Sequence, residues 1–423
     1  MKWRFFVLLI LFASTAIAQA PQAVISADDV TLVEKTLSSD DMQGRKVGTP
    51  GIEKAADFII KEFKSAGLQP LPGADSYRQP FSLIEPETME KSAKLDGEEL
   101  RPEQIVVFSP SANLTITQND HYKKVFVKKG DNFSATIFGY FESKENVIVL
   151  VDTSFSARFA RLARFHSPQF ENSGNRIFVL TDKDPSTYEV HCTQKISRQQ
   201  LANIVGVLPG KTLKQEYVIF SAHYDHLGIG TPDAQGDSIF NGANDDASGT
   251  TAVIELAKYY SRLKGNERTL IFAAFTAEEI GELGSSYFSK QLEPEKVMAM
   301  FNIEMIGTES KWGKNSAYIT GFDKTDMGTI LQRNLQHTPF TFHPDPYPEQ
   351  QLFLRSDNAT LAKLGVPAHT ISTSKMDSEK YYHQRGDEIQ TLDMENMTAI
   401  IRSIALSAGT IISGKDTPQR VKN

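Results

Sequence analysis

Cysteine is almost absent from this 423-residue chain, Cys192 being the only one. A single thiol excludes an internal disulfide and any zinc site built wholly from cysteines. Stability therefore has to come from a large core, which a chain of this length supplies as one large domain plus a smaller one. An excess of positive charge is missing too: 45 Lys and Arg against 52 Asp and Glu leave a net charge of −7. That balance favours solubility and argues against nucleic acid as a partner. Internal repeats and low-complexity tracts are lacking. Ala247-Ser248-Gly249 is not a serine nucleophile elbow, so serine hydrolase chemistry has no support. Long apolar runs are lacking as well. The run Phe5 to Phe12 is too short to span a bilayer, and no membrane span is expected in the mature chain.

That short run has another reading. Lys2 and Arg4 precede it and Ala16-Ile17-Ala18 follows, the pattern of a secretory signal over residues 1–18. Cleavage near Ala18 removes Lys2 and Arg4 and no acid, taking the charge from −7 to −9. The expected location is periplasmic or secreted.

Taken in order, residues 26–82 read as helical, with Ala55, Ala56, Phe58, Ile59, Ile60, Phe63 and Ala66 at helix spacing and Gly67 as a stop. Residues 83–199 change character to short strands and polar turns, the signature of an inserted, mainly β accessory domain. Val147 to Val151 and Ile177 to Leu180 are its clearest buried strands, and Ala157 to Arg164 a basic helix. His191 and Cys192 are adjacent, so in a strand they point to opposite faces and cannot share a metal. From residue 200 to 413 strands and helices alternate regularly. The expected fold is a three-layer α/β/α sandwich with a mixed, mostly parallel central sheet. Residues 414–423 read as a flexible tail.

Chemistry-bearing residues gather at the strand ends of this last part. His223, Asp225 and His226 follow the apolar run Tyr217 to Phe220, and Asp245 lies in a Gly- and Asn-rich turn before a helix. Glu278 and Glu279 follow the strand Thr269 to Phe275. Glu304 sits among apolar neighbours, where a carboxylate is costly unless paired or bound to a cation. His383 follows Tyr381-Tyr382. Imidazoles and carboxylates at the carboxyl ends of strands are where an α/β sheet places its ligand site and what a divalent metal requires. These residues point to a metal-dependent hydrolase. His226, three residues from His223, offers a spare ligand but reads as structural, and His337, His343 and His369 read as surface or core residues.

The segments SAHYDHLG (221–228), GANDDASGT (242–250), FTAEEIGELGS (275–285), FNIEMIG (301–307) and YYHQRGDEIQTLD (381–393) resemble, in order, those of exported bacterial zinc aminopeptidases of the M28 peptidase family. The stretch LSSDDMQGRKVGTPGIEKAADFI near the start resembles them too, and 83–199 stands where many relatives carry a protease-associated domain. The resemblance implies two zinc ions per chain, bridged by Asp245. His223 and Glu304 would bind the first ion, and Glu279 and His383 the second. Glu278 would be the general base activating a zinc-bridging water, with Asp225 orienting the imidazole of His223. It also implies a cis peptide between Asp245 and Asp246. Tyr382 would donate to the substrate carbonyl. By position rather than resemblance, Arg355, between two elements expected to flank the cleft, is a candidate substrate contact or else a loop ion-pair partner. Glu304 departs from the aspartate common in the family; its longer arm keeps the carboxylate but alters the geometry of the first site.

The expected function is that of an exported di-zinc exopeptidase, an aminopeptidase acting on peptides with a free N-terminus. Competing readings are a one-zinc aminoacyltransferase resembling glutaminyl cyclase, a carboxypeptidase or dipeptidase of the same fold, and a metal-free binding protein.

Overall fold

A computed structural model describes residues 21–140, 144–164 and 168–422. The leader expected over 1–18 lies outside the described residues. Among the described residues no helix is long and apolar enough to cross a membrane.

The main sheet is built on eight strands: β1 (Arg78–Leu95), β2 (Tyr188–Leu208), β3 (Leu213–His223), β4 (Arg268–Phe275), β5 (Val297–Ile303), β6 (Ser316–Ile319), β7 (Thr341–Pro344) and β8 (Ala368–Ser372). Their spatial order is β7-β6-β8-β5-β3-β4-β2-β1. β3 runs parallel to both β4 and β5, and β5 parallel to β8, while β2 pairs antiparallel with β4 and β1. The central strands are buried along nearly their whole length, as strands covered on both faces must be. Phe220 at the middle of β3 stacks on Phe272 and Phe301 of the flanking strands, with centroids 5.6 and 4.9 Å away.

Helices cover both faces. On one lie α1 (Ala27–Leu37), α2 (Pro50–Ala66), α3 (Ser248–Leu263), α5 (Met327–Asn334) and α7 (Met394–Ser407), whose apolar residues share one core with β3, β4 and β5. On the other lie α4 (Leu283–Ser289) and α6 (Asn358–Ala362). Of the stripe read for α2, Ala55, Ala56, Ile59 and Phe63 are buried and Phe58, Ile60 and Ala66 only partly so, while Ile52 joins the buried face. Pro50 opens that helix, where its missing N–H costs nothing. Burying Ile59 and Phe63 contributes about 1.5–3 kcal/mol each, so an aspartate at 59 would undo the packing.

β1 and β2 are longer than the sheet requires. They stay paired from Arg78↔Ile204 out to Leu95↔Tyr188, with an irregularity between Thr88 and Glu90. The boundaries read at 83 and 199 therefore fall inside continuous strands. The unit they carry has its own four-stranded mixed sheet, with two short helices at Phe133–Phe138 and Ser156–Leu162. His191 is exposed there and Cys192 buried.

One expectation needs correction. Residues 414–422 are not a loose tail. Arg268 is buried at the start of β4, and its guanidinium donates to Asp416 O and Thr417 Oγ1. Gln419 N donates to Asp326 Oδ1, and Val421 N to Gly365 O. A buried guanidinium must find acceptors, and this segment supplies them.

Candidate metal centre

The chain leaves β3 through α3 to β4 on one side, then returns to β5 on the other. The carboxyl end of β3 is thus a topological switch point, where open α/β sheets form their ligand crevice. His223 is the last residue of β3; Glu278 and Glu279 follow β4; Glu304 follows β5.

Asp245 reaches this crevice from the turn Ala243–Ala247, which contains a cis peptide between Asp245 and Asp246. Asp246 fastens the turn to its surroundings, its carboxylate accepting from Gly249 N, Met305 N and His223 N. α3 can start so close only because residue 249 is glycine; a Cβ there would lie 2.1 Å from Ile303 O.

Five of the expected ligands converge. His223 Nε2 lies 3.2 Å from Asp245 Oδ1 and 3.5 Å from Glu304 Oε1. His383 Nε2 lies 3.3 Å from Asp245 Oδ2 and 3.0 Å from Glu279 Oε2. Each oxygen of Asp245 thus faces a different histidine. A tetrahedral zinc with bonds of about 2.0–2.1 Å holds its donors roughly 3.3 Å apart, so both groups fit such an ion. His223 Nε2 and Asp245 Oδ2 are buried without a hydrogen-bond partner among the described residues, a costly state that a cation would relieve. Glu278 Oε2 stands 4.0 Å from His223 Nε2.

A model of peptidase family M28 matches residues 203–408. Residues 203–408 are an M28 peptidase domain. The chain is 29% identical over 165 residues, 36% of its length, to aminopeptidase YwaD of Bacillus subtilis; that stretch spans 33% of the relative. Among solved structures, the aminopeptidase of Aneurinibacillus sp. strain AM-1 superposes with a TM-score of 0.55 at 19% identity, covering 92% of this chain and 95% of that one. A zinc aminopeptidase from Bacillus subtilis does so with a TM-score of 0.55 at 18% identity, with the same coverage. At such identity the likeness is one of fold.

The M28 domain arranges charge unevenly around the crevice. Burial alone would raise the carboxyl of Asp245, but the imidazoles of His223 and His383 beside its two oxygens outweigh it and hold it far below the usual range. For Glu279 burial is likewise overcome, by His226 and His383. Glu278 behaves differently: burial pushes it well above the usual range against the opposing pull of His223, and Glu304 and Asp357 add to the rise. The carboxylates of Asp245 and then Glu279 beside Nε2 raise the His383 imidazole to about 10. Carboxylates this crowded take up protons or a cation, and the two compete.

Other residues stand differently from expectation. His223 Nδ1 pairs with the main-chain carbonyl of Asp225 at 3.1 Å, while the carboxylate is 3.8 Å away. That carboxylate instead accepts from the backbone N–H groups of Glu278 and Glu279. Asp225 therefore orients His223 through its backbone and the two glutamates through its side chain. Tyr382 is half exposed and stacks on His383, centroids 3.9 Å apart. Arg355 is exposed and, with Ser356, Ser372, Ser374, Met376 and Tyr382, lines a pocket of about 60 Å³ beside Glu304. A larger hollow of about 650 Å³ lies between β1 and the inserted unit and includes none of the expected site residues. His337 is exposed, His343 stacks on Trp312, and His369 is buried with both ring nitrogens paired, to Thr320 O and Thr325 Oγ1.

Sequence reasoning missed two supports. Asp387 accepts from the backbone N–H groups of Asn244 and Asp245, its two oxygens fixing the turn that carries Asp245. Arg45, fully buried, donates to the carbonyls of Tyr224, Leu37, Asn241 and Gly242. It ties the N-terminal segment to both loops that frame the crevice. Asp387 ends the segment YYHQRGD, four residues after His383, so its neighbourhood was visible. Arg45 has no signal beyond being a charge amid a turn. His226, read as structural, has Nδ1 2.7 Å from Glu279 Oε1.

Proposed function

We propose that this chain is an exported di-zinc aminopeptidase, hydrolysing the amide bond after a free N-terminal residue. The observation that carries the reading is Asp245, which presents one oxygen to each of two donor groups. His223, Asp245 and Glu304 would hold one ion; Asp245, Glu279 and His383 the other. Zinc, when bound, supplies Lewis acidity to a carbonyl oxygen and lowers the pKa of water.

The chain's own residues do the rest. Glu278 takes a proton from the attacking water and returns it to the leaving amine, a role suited to a carboxylate whose burial raises its pKa. Glu304, with the other carboxylates of the crevice, attracts the α-ammonium of the substrate and disfavours a blocked N-terminus. Partial burial and neighbouring carboxylates, Asp245 first, keep the Tyr382 phenol protonated and able to donate to the substrate carbonyl. The pocket beside Glu304, with Arg355 at its side, receives the N-terminal side chain. The basic, apolar and small-residue pattern over 1–18 supports export.

The test is metal content per chain together with turnover of unblocked and N-acetylated amino-acid anilides, for wild type and Glu278→Gln. Two zinc ions, turnover of free-amine substrates only, and a metal-replete but inactive variant are expected. One zinc with cyclisation of N-terminal glutamine would replace this reading by an aminoacyltransferase. No metal and no turnover would reduce the fold to a binding scaffold.

A further inference from the structure

His226 lies three residues after His223 in the loop that follows β3, and its ring is buried. Nδ1 points at the second donor group, 2.7 Å from Glu279 Oε1 and 4.0 Å from Asp245 Oδ2. His383 approaches the same two carboxylates from the exposed side, its ring 5.9 Å from that of His226 and inclined at 69°. The two imidazoles thus flank Glu279, each facing a different one of its oxygens.

Nε2 of His226 is buried without a partner among the described residues. It lies on the side packed against Gly242, where a Cβ would come within 2.5 Å of Cδ2 of the ring. Gly242 is left-handed, with φ of 55°, so glycine is required there twice over: for its own conformation and for this ring. His369 provides the contrast. It is a buried histidine with a structural role, and both its nitrogens are paired with protein atoms. Among the described residues, the ring of His226 has one paired nitrogen, and its partner is a carboxylate of the candidate site.

We propose that His226 is a ligand of the second ion through Nδ1, so that this site holds two imidazoles, His226 from the interior and His383 from the exposed rim. The inference rests on the two-ion reading above. It makes the two sites unequal: the first has one imidazole and the long-armed Glu304, the second two imidazoles, Glu279 and the shared Asp245. The second site is then the tighter one for zinc, a metal that favours nitrogen ligands.

The alternative is that His226 only steadies Glu279 by a hydrogen bond, and a pair of substitutions separates the two. His226→Asn keeps an amide donor near the position of Nδ1 but is a poor zinc ligand; His226→Ala removes both functions. Zinc affinity is read for wild type and both variants by competition with a chromophoric chelator. The expected result is two ions in wild type and a second ion bound at least ~10-fold more weakly in both variants. Affinities unchanged in both, or restored by asparagine, would overturn the assignment while leaving the two-ion reading intact. A wild type that binds one ion or none overturns that reading, and the assignment with it. X-ray absorption at the zinc edge of the wild type gives the same answer without a variant: three imidazoles shared by two ions support the assignment, and two overturn it.

Discussion

The hydroxyl of Ser356 donates to Oε2 of Glu304, the oxygen opposite the one that faces His223. Ser356 in turn accepts from Asn302 Nδ2, and Asn302 Oδ1 accepts from Ser221. A glutamate arm has one more rotatable bond than aspartate, and this chain of hydrogen bonds fixes where it ends. Ser356→Ala should therefore weaken zinc at the first site by roughly 10-fold, with little effect on the second. Chelator competition measures it, and equal loss at both sites would show that Ser356 does not act through Glu304.

Arg45 is the next target. Replacing it by methionine leaves four buried carbonyls without their donor, and stability should fall by roughly 3–5 kcal/mol in urea denaturation. Lysine keeps the charge but not the fork, and should recover only part of that loss. Full recovery by lysine would mean that charge alone matters at this position.

Glu34 sets a pH dependence away from the crevice. Burial raises its carboxyl from 4.5 to about 8, more than the Thr251 hydroxyl and the Arg45 charge lower it. The folded protein keeps this proton where the unfolded chain loses it. Its stabilising contribution is therefore complete below about pH 4.5 and drains away as pH rises to about 8. Glu34→Gln stays neutral throughout, so its Tm relative to wild type should climb by several degrees between about pH 5 and pH 9. A difference independent of pH would show that Glu34 is ionised throughout.

Metal removal should also register as stability. Asp245 stands in one group with His223 and Glu304 and in another with His226 and Glu279, and an ion that binds only the folded chain stabilises it by mass action. Chelation should lower Tm by about 5 °C or more, and added zinc should restore it. A Tm indifferent to chelation would count against both candidate sites.

The sequence was most readable where chemistry and periodicity coincide. β3, β4 and β5 are apolar runs ending in His223, Glu278-Glu279 and Glu304, so strand ends and ligands announced each other. The stripe of α2 was equally plain. What stayed hidden depends on contacts distant in the chain. His226 meets Glu279 only because β3 and β4 lie side by side in parallel register. Asp225 has an imidazole two residues away, which made that the obvious partner, yet its carboxylate turns to the backbone after β4. Arg45 serves carbonyls some 180 to 200 positions further on, and nothing local marks it for that duty. The end of the chain reads as polar and loose because the buried charge that recruits it, Arg268, sits in another element.

The long pair of β1 and β2 has a consequence of a different kind. The inserted unit leaves and re-enters through two neighbouring strands, with Thr88 directly opposite Gln194. Severing the ribbon there leaves two stumps about 5 Å apart, a gap that a two-residue turn closes. The fold therefore carries its passenger as a graft on an opened hairpin. The passenger also ties back through Gln169–Phe170, which pairs with Leu83 and Ile84 of β1, while the ladders that β3 makes with β4 and β5 lie outside it.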